Sequence, residues 1–114
     1  MKVPGAVTAA ARAALDKKAA EVVVLDLRKQ SAFTDFFVVA SATNQKQLLA
    51  IADAVQETMR DQGLRPKHIE GYPRQEWILL DYSGFVVHIF TPRTRSFYDL
   101  ERLWGGAARV EMKE

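Results

Sequence analysis

The stretch Trp77-Ile78-Leu79-Leu80-Asp81-Tyr82-Ser83-Gly84-Phe85-Val86-Val87-His88-Ile89-Phe90 decides the fold. Two apolar runs rich in β-branched and aromatic residues flank a two-residue Ser-Gly turn, the pattern of a β-hairpin. That turn sets the register. Tyr82 faces Phe85, Leu80 faces Val87 and Ile78 faces Ile89, and these six suit a core-facing side. The opposite side then pairs Trp77 with Phe90, Leu79 with His88 and Asp81 with Val86. It mixes a large aromatic, an acid and an imidazole. It reads equally as a sheet face covered by a helix, with His88 hydrogen-bonded, or as a protein-docking surface.

Working outward, Gly71-Tyr72-Pro73 breaks the chain before the hairpin, and residues 67–70 make a short strand. Upstream, Asn44 followed by Gln47 forms a capping box, with Thr43 as a competing cap. Leu48, Ile51, Ala52, Val55 and Met59 recur at helical spacing, and Gly63 is the stop. Val22 to Leu25 and Phe36 to Ala40 are continuous apolar runs, as expected of strands buried on both faces. The polar connection Arg28-Lys29-Gln30-Ser31 lies between them. Pro4 and Gly5 open a first helix ending near Lys18, whose narrow stripe is Val7, Ala10, Ala11, Ala14 and Leu15. Downstream, Thr91-Pro92 is an N-cap with proline at the first helical position. The final helix runs to about Trp104, with Phe97, Leu100, Leu103 and Trp104 as its core face, and Gly105-Gly106 end it. Residues 107–114 read as a loose, charged C-terminal tail, leaving 1–106 as the domain. The fold class is α/β: a single domain with a mixed β-sheet of about five strands and helices on both faces.

Composition narrows the function. The 114 residues hold no cysteine, 48% apolar residues and 26% charged residues, which describes one ordinary globular domain. Disulfides, thiolate metal sites and a cysteine nucleophile are excluded. Sixteen Lys+Arg against 14 Asp+Glu leave a surplus of +2, too thin by itself to indicate nucleic-acid binding. No apolar run approaches the ~20 residues of a membrane span. The expected location is cytoplasmic.

Catalytic chemistry finds little support. His68 and His88 do not sit at ligand spacing for a metal. The six glycines form no phosphate-binding loop. Two-metal transfer needs paired carboxylates on one strand face, yet Asp26 is followed two residues on by Arg28, and Asp81 by Ser83. Acid–base work by His88 with Asp81 lacks an identifiable nucleophile. No catalytic residue, cofactor or metal is expected.

Several segments resemble the ribosomal silencing factor family, also called Iojap-related. They are Trp77 to Tyr82, Val86 to Phe90, Arg95-Ser96-Phe97-Tyr98-Asp99-Leu100-Glu101-Arg102-Leu103-Trp104, Val23 to Leu27, Thr34 to Val38 and Ser41 to Asn44. The likeness runs from about residue 7 to 105 and departs at the turn, where Ser83-Gly84-Phe85 stands. It implies a nucleotidyltransferase-like fold without that activity. It also implies a factor that binds ribosomal protein uL14, the fourteenth protein of the large ribosomal subunit. Occupying that protein blocks joining of the small subunit and represses translation when nutrients are limiting. On that basis Trp77, Leu79 and Tyr98 are assigned as apolar anchors, and Asp81 and Glu101, with Asp99 beside them, as acids that steer toward a basic partner. His88 completes the partner-binding set. Arg93 and Arg95 are candidates for contact with ribosomal RNA, with plain surface charge the preferred reading. The resemblance further implies a homodimer when free, with no membrane or DNA partner. The alternatives are a nucleotide-binding or nucleotidyltransferase-like enzyme and a large-subunit assembly factor.

Overall fold

A computed structural model describes residues 2–30 and 32–113. Ser31 of the polar connection lies outside the described residues. The elements in order are α1 (Gly5–Asp16), β1 (Ala20–Asp26), β2 (Phe36–Ser41), α2 (Gln45–Asp61), β3 (His68–Glu70), β4 (Trp77–Asp81), β5 (Phe85–Phe90), α3 (Pro92–Tyr98), α4 (Leu100–Leu103) and β6 (Ala108–Met112). The strands form one six-stranded sheet in the order β3-β4-β5-β2-β1-β6. Among the described residues only β2 and β5 pair in parallel, and every other neighbouring pair is antiparallel.

The hairpin takes the expected register, Trp77 opposite Phe90 through Asp81 opposite Val86. At its turn Ser83 adopts φ +74°, a conformation more usual for glycine. The turn is supported from both sides. Ser83 N–H donates to Asp81 Oδ1 at 2.9 Å, and Thr34 Oγ1 donates to the Ser83 carbonyl at 3.3 Å.

Helix α2 begins as the capping box requires, with Gln47 N–H donating to Asn44 Oδ1 at 2.8 Å. The return bond differs by one residue. Gln47 Oε1 accepts from the Thr43 N–H at 2.7 Å and from its hydroxyl at 2.9 Å. Gln47 Nε2 also donates to the Lys17 and Lys18 carbonyls, so one side chain ties the start of α2 to the end of α1. Gly63, at φ +78°, closes α2 while Leu64 N–H reaches the Met59 carbonyl, the bond of a Schellman motif.

Helices α1 and α2 cover one sheet face. Val7, Ala10, Ala14, Leu48, Ile51, Val55 and Met59 pack there against Val24, Val38, Leu80, Val87 and Ile89. The other face carries a smaller cluster of Val23, Leu25, Leu27, Phe37, Val39, Val86 and Phe90. Its cover is thin: α3, α4 and the segments around them.

Three expectations are corrected. Residues 108–112 are not a loose tail. They form β6, an edge strand antiparallel to β1, which raises the strand count to six. The last helix does not run unbroken to Trp104. Asp99 adopts φ +45°, which ends α3 and starts α4 on a new axis. The face assigned to the core is therefore dispersed: Phe97 is 78% exposed and Leu103 70%, while Leu100 and Trp104 are half-buried against the smaller cluster. The first helix also stops at Asp16, two residues before Lys18.

Candidate docking face

The thinly covered face brings aromatic rings into a connected series. Trp77, at the start of β4, stacks on Phe90 at 5.1 Å between centroids and packs against Tyr98 of α3 at 4.4 Å. His88 lies 5.8 Å from Trp77 and 4.4 Å from Phe37. Phe37 is flanked in turn by Trp104 at 6.2 Å and Phe33 at 6.1 Å. Phe33, Tyr98 and Leu103 are exposed, and Trp77, Leu79, Leu100 and Trp104 are half-buried. Strand alternation puts Trp77, Leu79 and Asp81 on this side, while Ile78 and Leu80 enter the main core.

Of the six expected site residues, Trp77, Leu79 and Tyr98 do present apolar surface on this face. Asp81 stands at its far end, beside the turn. His88 is placed differently. It is 3% exposed, and its Nδ1 accepts from the Trp77 indole N–H at 3.1 Å. Indole can only donate, so the proton of the neutral imidazole sits on Nε2, which has no partner among the described residues. Burial pushes the His88 pKa down to about 3. His88 thus orients the Trp77 ring from below. The imidazole is shielded from solvent, while the indole is half-buried.

Glu101 is committed inside the molecule. Its two oxygens accept from Arg95 Nε at 3.0 Å and Nη2 at 3.1 Å, and Arg109 of β6 approaches at 3.6 Å. Arg95 was expected on the surface but is only 8% exposed. Its Nη1 donates to the Ser41 hydroxyl at 2.9 Å and to the Glu21 carbonyl at 2.6 Å. Glu21 lies at an irregularity in the β1–β2 register and has φ +50°. One guanidinium therefore fastens α3 and α4 to β1 and β2. Asp99 is the left-handed joint between the helices. Arg93 does sit at the surface, bridged to Glu76 at 3.2 Å.

The residues missed in the sequence are Phe33, Phe97 and Leu103. Phe33 carried a signal, being a lone aromatic in a polar connection. Phe97 and Leu103 could not be separated from core positions without knowing that the helix breaks at Asp99.

Among the described residues no three His, Asp or Glu side chains group to hold a metal ion. Arg28 stands where a paired carboxylate would be needed, and its Nη2 and Nε bind Asp26 at 2.6 and 3.0 Å. That bond holds the Asp26 carboxyl below its usual range. No helix among the described residues is long and apolar enough to cross a membrane.

A mixed six-stranded α/β sheet, covered by long helices on one side and open as an aromatic surface on the other, defines the class structurally. The family model described as "Ribosomal silencing factor during starvation" matches residues 1–114, and the chain belongs to that family. It is 40% identical over 98 residues to the ribosomal silencing factor of Halalkalibacterium halodurans, covering 86% of this chain and 84% of that one. A crystal structure of protein CV0518 from Chromobacterium violaceum superposes with a TM-score of 0.87 at 30% identity, covering 100% of this chain and 95% of that one. A mouse protein named "Mitochondrial assembly of ribosomal large subunit protein 1" is 29% identical over 91 residues, which is 77% of this chain and 40% of that protein.

Proposed function

We propose that this chain binds the large ribosomal subunit through the face of Trp77, Leu79, Tyr98 and Leu103, at ribosomal protein uL14, and prevents joining of the small subunit. The carrying observation is the apolar surface left open over the sheet, with Tyr98 and Leu103 exposed and Trp77, Leu79 and Trp104 half-buried. Interface centres are enriched in such aromatic anchors. Asp81 at one end of the face suits a basic ribosomal protein and speeds encounter by charge complementarity. Steric occupation needs affinity and placement but no catalysis, so the chain acts as a non-enzymatic repressor in the cytoplasm. When free, two copies pair through the same face, and dimer and ribosome compete for it. The mouse relative's name favours a second role, in assembly of the large subunit.

Sucrose-gradient sedimentation tests the reading. The chain should travel with free large subunits and lower the yield of joined ribosomes when subunits are mixed. Leu103→Asp should abolish both effects while melting as the wild type does, because Leu103 is 70% exposed. No large-subunit binding by the wild type at low salt would refute it.

A further inference from the structure

At the end of the docking face opposite Asp81, a cleft of about 250 Å³ opens between α3 and the segment before β4. Arg74, Glu76, Arg93, Thr94, Phe97 and Tyr98 line it. Its floor is fixed. Thr94 Oγ1 donates to the Glu76 carbonyl at 2.6 Å, and the Thr91 N–H donates to the same oxygen at 3.1 Å. Tyr98 is held by Trp77. The two arginines at its mouth have donors to spare. Arg74 makes no hydrogen bond or ion pair among the described residues, and Arg93 uses one nitrogen on Glu76. Phe97 meets Tyr98 edge-on at 5.0 Å and leaves most of its ring in water.

Two guanidinium groups against one carboxylate make the cleft cationic, and a large aromatic surface stands beside them. Unpaired RNA bases stack on aromatic rings while arginine forks bind phosphate oxygens. An acidic peptide would use the arginines but would have no need of Phe97. Along β4 the face therefore runs from the acid Asp81 to this basic, aromatic end. Five strand residues span roughly 15 Å. That gradient matches a surface where a basic protein adjoins RNA.

We propose that the cleft takes an unstacked nucleotide of ribosomal RNA, its base against Phe97 and its phosphate between Arg74 and Arg93. The site rests on the large-subunit reading and adds an RNA contact to it.

The test measures affinity of the full chain for purified large subunits across a salt series, for wild type, Arg74→Gln and Phe97→Ala. Ultraviolet crosslinks from the cleft are mapped in parallel. Both variants should melt as wild type. Phe97→Ala should bind about tenfold more weakly, the scale of one lost base–aromatic stack. Arg74→Gln should lower the slope of log affinity against log salt by about 0.7, one phosphate contact on a single strand. The cleft should crosslink to ribosomal RNA. If the wild type binds and both variants match it in affinity and slope, the site is wrong while the docking reading stands. Weaker binding with an unchanged slope and crosslinks only to ribosomal protein would assign the cleft to a peptide and overturn the RNA site. A wild type that binds no subunits overturns both.

Discussion

Replacing Glu101 by Gln separates an internal fastener from a partner contact. The substitution keeps the side-chain shape and removes its charge. Arg95, 8% exposed, would keep its bonds to Glu21 and Ser41 but lose the carboxylate that neutralises it at 3.0 and 3.1 Å. Removing one partner of a buried ion pair costs about 3–5 kcal/mol, because the remaining charge stays buried. The Glu101 side chain is 20% exposed, so water takes over part of its role, and about 2–3 kcal/mol is the expected loss. For a chain of this length each kcal/mol shifts the melting temperature by about 4 °C, which gives a fall of roughly 8–12 °C. Thermal melts by circular dichroism with and without added salt read this directly. A sheltered pair is screened little, so the fall should persist in high salt. Below the transition the folded variant should still bind large subunits within a few-fold of wild type. A melting temperature within about 2 °C of wild type, together with lost subunit binding, would refute the reasoning and return Glu101 to the partner surface.

Acid should weaken the fold through His88. Its pKa is near 6.5 unfolded and about 3 folded, so the unfolded chain binds the extra proton between those values. Its contribution is complete above pH 6.5 and falls as pH drops, by about 2 kcal/mol at pH 5; a His88→Gln variant should lose this component of the melting profile, and an unchanged pH dependence would contradict the burial. Gly71→Ala should unfold the chain or leave little soluble protein. A Cβ there would lie 1.8 Å from the Trp77 carbonyl oxygen, with φ at +101°, so a wild-type melt would show the strand junction to be misplaced. Tyr82→Phe should be neutral or stabilising by up to about 1 kcal/mol, since the buried Tyr82 hydroxyl has no partner among the described residues; clear destabilisation in urea titration would reveal a missed bond.

The legible parts of the sequence were those set by local chemistry. The hairpin register followed from a two-residue turn between alternating runs, and α2 from Asn44, Gln47, the apolar spacing and Gly63. Strand β6 carried a faint signal, Ala108, Val110 and Met112 alternating with charged Arg109 and Glu111, but the run is short, largely exposed and pairs only with the distant β1, so its charge outweighed its period. The break at Asp99 is a single left-handed residue inside a helical pattern. It is stabilised from a distance, by an arginine and a glutamate six residues apart, a separation at which helical side chains do not meet. The same blind spot hid the internal pairing of Glu101 with Arg95. The side of the sheet on which Trp77 and Leu79 stand was legible from strand alternation, because Ile78 and Leu80 between them enter the main core.

The unequal cover of the two sheet faces has an evolutionary consequence. Residues beneath α1 and α2 are constrained by packing, where one lost methylene is felt throughout the core. Phe33, Phe97 and Leu103 contribute little to folding, being more than two-thirds in water. Selection can act on them only through whatever covers them. Under the proposed docking the thin side can therefore drift with its partner, substitution by substitution, while the helical side holds the scaffold fixed.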